Sequence, residues 1–252
     1  MARRAIASVD PAISGRASRH NRPVGQAFVF GAAVSASLIV GAAVGARWGL
    51  PDPLYASLLG FAGGALTSAL SFELLADADE RGGVWYAGLG LLAGAATFIV
   101  FDKKLMDRCR GSGIGFALLA AAVLDGVPES LALGVSLVEG AGPALLVAIV
   151  VANFPEAAGG ATRMRDDGRS AWSIVGIWTA AALLIAGSVV SGRLLLGGAP
   201  GPVLAVLLGF AGGAVLAALA DSVLPEAFEK GGPYVAFTTV TGFFVAFILS
   251  EG

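Results

Sequence analysis

The sequence predicts an all-α fold: a polytopic membrane protein with eight transmembrane helices in a 3+2+3 inverted-repeat bundle. Three observations predict it. Mean hydropathy is +0.82, and only 13% of the 252 residues are charged, about half the share of a soluble domain. Eight apolar stretches are each close to the roughly 20 residues that span a bilayer. One 26-residue stretch recurs 149 residues later, as set out below.

The elements follow in order. Residues 1–23 form a polar tail with Arg3, Arg4, Arg16, Arg19 and Arg22. The apolar stretch behind it is too long for a cleaved leader, so it is read as the first membrane helix. Residues 24–252 then form a single transmembrane domain. Its expected segments are 24–46, 53–76, 84–101, 113–138, 142–162, 171–192, 202–224 and 233–250. Turn formers and charges separate them, among them Pro51-Asp52-Pro53, Asp102 to Gly111 and Glu229 to Pro233. Barrel strands would alternate polar and apolar residues, and these segments do not.

Loop charge orients the chain. With both termini outside, the inner loops carry nine basic residues: Arg47, Lys103, Lys104, Arg108, Arg110, Arg163, Arg165, Arg169 and Lys230. The outer loops carry Arg81 and Arg193. The five-arginine tail argues the other way. The expected location is the cell (inner) membrane, crossed many times.

Residues 58–83 read LLGFAGGALTSALSFELLADADERGG, and residues 207–232 read LLGFAGGAVLAALADSVLPEAFEKGG. Fifteen of the 26 positions are identical. Glycine-rich composition alone would not keep Glu80/Glu229 and Gly82-Gly83/Gly231-Gly232 in one register. The repeat relates segment two to segment seven, which cross in opposite directions. It divides the domain into a first repeat (24–111), a central pair (112–162) and a second repeat (171–252). Inverted repeats are the usual plan of secondary transporters, with the site near the midplane.

The central pair carries the polar chemistry. Segment four contains Asp125-Gly126-Val127-Pro128-Glu129-Ser130, and segment five contains Asn153-Phe154-Pro155-Glu156. Asp125 and Glu129 are four apart and share a helix face, as do Asn153 and Glu156 at three apart. Proline inside a helix frees a backbone carbonyl. Carboxylates at membrane depth are costly and by default mark an ion path or a proton relay. Asp125, Glu129, Asn153 and Glu156 together would make an all-oxygen cage for a divalent cation. The plainer reading is a protonated, hydrogen-bonded pair that ties two helices together. Glu73, Asp77, Asp221 and Glu226 could collect cations at the two mouths, or be ordinary interfacial charges.

These Pro-Glu motifs resemble those of the ZIP (Zrt/Irt-like) family of metal transporters. The eight-helix plan and the Leu224-Pro225-Glu226-Ala227 stretch are similar to that family too, over nearly everything after the tail. The resemblance implies a metal site between helices four and five and uptake towards the cytosol. It also implies zinc as the first candidate cargo, with iron and manganese next. The family's helix-four motif usually reads His-Asn-x-Pro-Glu-Gly. Here Asp125 stands at the histidine position, Gly126 at the asparagine and Ser130 at the last glycine. Ala152 occupies a usual ligand position on helix five, and segment six has no acidic residue. One metal is therefore expected rather than two.

Other classes are set aside. A net charge of −2 offers no basic face for nucleic acid. Cys109 is the single cysteine and His20 the single histidine, so neither a disulfide nor a Ser-His pair in the membrane is available. An enzyme is not expected, nor a cofactor beyond the transported ion. The expected partners are a divalent cation and the lipid bilayer. A homodimer is left open. The alternative function is a ZIP-like protein without transport, acting as a metal-responsive sensor or scaffold.

Overall fold

A computed structural model describes residues 11–109, 114–137, 143–196 and 198–251, with side chains for 25–104, 118–137, 144–196 and 198–251. Among the described residues every regular element is helical. The order is α1 (Pro11–Arg47), α2 (Asp52–Ala69), a π turn (Leu70–Leu74), α3 (Leu75–Gly82), α4 (Val84–Cys109), α5 (Ile114–Ser136) and α6 (Pro143–Asp166). Then come α7 (Ala171–Ser191), a π turn (Gly192–Leu196), α8 (Gly201–Ala218), a π turn (Leu219–Val223), α9 (Leu224–Gly231), a 3₁₀ turn (Gly232–Tyr234) and α10 (Val235–Ser250).

Seven runs among the described residues are long and apolar enough to cross a bilayer. They are Gly25–Arg47, Asp52–Gly82, Val84–Lys104, Leu118–Ser136, Ala144–Asp166, Ala171–Leu196 and Gly201–Ser250. They fit a multi-pass membrane protein. The last run is 50 residues long, far beyond the roughly 20 that one crossing takes. It breaks at Gly232, whose φ of 63° is a conformation glycine adopts without penalty.

Two expectations on boundaries need correcting. The break expected from Asp102 to Gly111 is still helix as far as Cys109. Charge at Asp102, Lys103 and Lys104 ends the apolar stretch but not the helix, because lysine is a good helix former. Arg110 and Gly111 lie outside the described residues. α1 likewise starts at Pro11, ahead of the apolar stretch.

The element boundaries recur at the repeat offset. Adding 149 to α2, its π turn and α3 gives α8, its π turn and α9, residue for residue. Gly83 and Gly232, again 149 apart, both have positive φ. The packing is reciprocal as well. α2 packs on α10 and α9, and α8 on α4 and α3. α6 packs on α1 and α2, and α5 on α7 and α8. Small residues permit this closeness. A Cβ on Gly64 would collide with the carbonyl oxygen of Thr239, and one on Gly213 with that of Leu91. Gly64 and Gly213, 149 residues apart, therefore seat α10 and α4 in the same way.

Contacts fix which helix ends lie together. Arg165 of α6 donates to the Gly45 carbonyl of α1 (3.2 Å), and Lys230 of α9 pairs with Asp52 of α2 (2.7 Å). This end, with Arg47, Arg163 and Arg169, is the basic end. At the opposite end, the Leu145 amide of α6 donates to Glu73 (2.8 Å). The Ser136 hydroxyl of α5 there donates to Asp77 (3.3 Å).

Candidate functional site

α5 and α6 each contain an internal proline, Pro128 and Pro155. They run antiparallel, α5 from the basic end and α6 towards it. Their polar residues fall into two layers. Asp125 and Glu156 are half-buried and line one cavity of 50 Å³ with Tyr55, Leu59, Ser222 and Glu226. That is room for roughly one to three waters or one cation. Glu129 lies one turn further along α5, and Asn153 one turn earlier on α6. Both are therefore further from the basic end, and each is 5% exposed.

The structure brings Asp125 and Glu156 to one cavity, with Glu129 and Asn153 buried behind it. Among the described residues, no three His, Cys, Asp or Glu side chains converge closely enough to hold a metal ion. The expected three-carboxylate cage is not assembled in this conformation.

The buried polar atoms are nonetheless unsatisfied. Asp125 Oδ1, Glu129 Oε1, Asn153 Nδ2 and the hydroxyls of Ser68 and Ser130 have no hydrogen-bond partner among the described residues. Each such atom costs about 1–3 kcal/mol, and more when charged. A fold that only tied α5 to α6 would pair these groups with one another. Among the described residues Glu73 Oε1 is unpartnered as well, near the opposite end.

The cavity leads towards the basic end. Ser222 and Glu226 line it and also line a polar vestibule of 600 Å³ with Asp52, Arg163, Asp221, Glu229 and Lys230. Arg163 of α6 forms a salt bridge to Glu226 of α9 at that junction. Asp221 and Ser222 sit in the π turn Leu219–Val223, as Glu73 sits in Leu70–Leu74. A π turn inserts one residue and reorients the side chains after it, and such turns often occur at functional sites.

Tyr55, Arg163 and Ser222 were not expected at the site. Ser222 is a small polar residue in an apolar helix, which is a weak signal. Arg163 reads as an inner-loop charge, and nothing local links it to Glu226, 63 residues on.

No protein-family model matches the chain, and no curated protein does.

Proposed function

We propose that the protein transports divalent metal cations across the membrane, with zinc as the first candidate and iron and manganese next. The observation that carries this reading is the placement of Asp125 and Glu156. These two carboxylates, from two helices with internal prolines, share one cavity that continues into an acidic vestibule. Soluble ions need such a route, and a helix tie does not.

In this reading Gly201–Ser250 crosses twice, giving eight crossings, and the 149-residue repeat is inverted. α1, α2 and α4 form one repeat, α7, α8 and α10 the other, and α5 and α6 the central pair. The reciprocal packing supports this 3+2+3 plan. The ZIP-like Pro-Glu motifs support the choice of cargo. Both termini lie outside and the basic end faces the cytosol. Metal binds Asp125 and Glu156, and Glu129 and Asn153 complete the site in a second state open to the other side. The protein lies in the cell membrane and takes metal up.

A second reading has one observation in its favour. No three-ligand cluster is present among the described residues, as suits a ZIP-like sensor or scaffold that does not transport. Equilibrium zinc binding to the detergent-purified protein tests the shared premise. Binding should be saturable and lost in Asp125→Asn and Glu156→Gln. Binding unaffected by both substitutions would remove the site from either reading.

A further inference from the structure

The two repeats differ at one place where the sequence makes them look alike. Asp77 and Arg81 correspond to Glu226 and Lys230, 149 residues on, and both pairs are four apart on one helix. Arg81 Nε pairs with Asp77 at 2.5 Å, as the helical spacing allows. Lys230 does not pair with Glu226. It reaches Asp52 of α2 at 2.7 Å. Glu226 instead pairs with Arg163, which comes from α6, the helix that carries Glu156.

This exchange puts a fixed positive charge in the ion's way. Glu156 and Arg163 are seven apart on α6, so they share a face about 10 Å apart along the axis. Glu226 lines both the inner cavity and the vestibule, and Arg163 lines the vestibule. The side chains of Arg163 and Glu226 are 31% and 19% exposed, so solvent only partly screens them. A divalent cation passing between Glu156 and the vestibule meets a carboxylate already neutralised by a guanidinium. At the other end the equivalent Asp77 is neutralised from within its own helix. Among the described residues, its contact across to α5 is the 3.3 Å hydrogen bond from the Ser136 hydroxyl.

We propose that Arg163 is a tethered cation that closes the throat at the basic end, and that metal passes only when the guanidinium leaves Glu226. The bond also ties α6 to α9, so its release frees the central pair from the second repeat at that end. This rests on the transport reading for its role, but the latch itself can be tested without transport.

The test uses detergent-purified full-length protein with Cys109→Ser and Ser222→Cys, since Ser222 lines both spaces. The rates of modification by a cationic and a neutral thiol reagent of similar size are compared. Arg163→Gln should raise the cationic-to-neutral ratio at least about fivefold, the effect of one unit charge about 4 Å away when it is screened as in bulk water. Arg163→Lys should restore most of the difference. Lys230→Gln removes an equal charge from the vestibule wall and should change the ratio much less. An unchanged ratio in Arg163→Gln overturns the proposal. So does an equal rise in Lys230→Gln, which would indicate a diffuse field rather than a latch. Zinc flux is measured on the same proteins. Loss of flux in the unsubstituted protein would count against transport and leave the labelling result for the latch intact.

Discussion

Asp125 of α5 and Glu156 of α6 face one cavity from two antiparallel helices, each with an internal proline. Glu129 and Asn153 lie one turn behind them, buried, and each has a polar atom without a partner. This layered arrangement lets single substitutions separate the donors.

Asp125→His should raise zinc affinity relative to manganese by about tenfold, on the scale by which one donor or its support alters metal binding. Imidazole suits zinc, whereas carboxylates suit manganese and other harder ions. A zinc–manganese competition measures it. An unchanged ratio would take Asp125 out of the ligand set.

Glu129→Gln keeps size and hydrogen-bonding capacity but removes the charge. Flux should fall more than about tenfold while the protein still inserts and purifies as a folded species. Full flux would confine Glu129 to a structural role, and Asp125, Asn153 and Glu156 would remain.

Much of this was legible in the sequence because its signals are local or strictly periodic. The Pro-Glu pairs stand out in apolar helices, and the 149-residue offset preserves both the glycines that seat α10 and α4 and the glycines with positive φ. Other features leave no such trace. A π turn is a one-residue slip in hydrogen bonding, which composition does not record, so the special placement of Glu73 and Ser222 was hidden. Arg81 and Lys230 look equivalent, and only tertiary packing draws Lys230 out of its own helix to Asp52. Asp102 to Gly111 read as a break because charge marks the membrane boundary, and the helix runs past that boundary to Cys109.

Gly213→Ala tests the close packing of α8 on α4. The added Cβ meets the Leu91 carbonyl, a backbone group that cannot move alone. The cost should be about 1–3 kcal/mol, read as a lower unfolding temperature in detergent. Gly187→Ala has nothing within 4 Å of the new Cβ and should be neutral or slightly stabilising. Equal stability of the two variants would contradict the packing described.

A reporter active only in the cytoplasm, fused after Gly252, should be silent. The basic end holds Arg47, Arg163, Arg165 and Lys230, and basic loops stay inside. Strong reporter activity would reverse the orientation and exchange the two mouths.

Zinc uptake by the purified protein in liposomes tests the central claim most directly. The account predicts saturable uptake that competes with manganese and ferrous iron and falls to the protein-free level in Glu156→Gln. Protein that is folded and binds zinc, yet moves none of these ions above protein-free liposomes, would contradict transport and leave a sensor or scaffold.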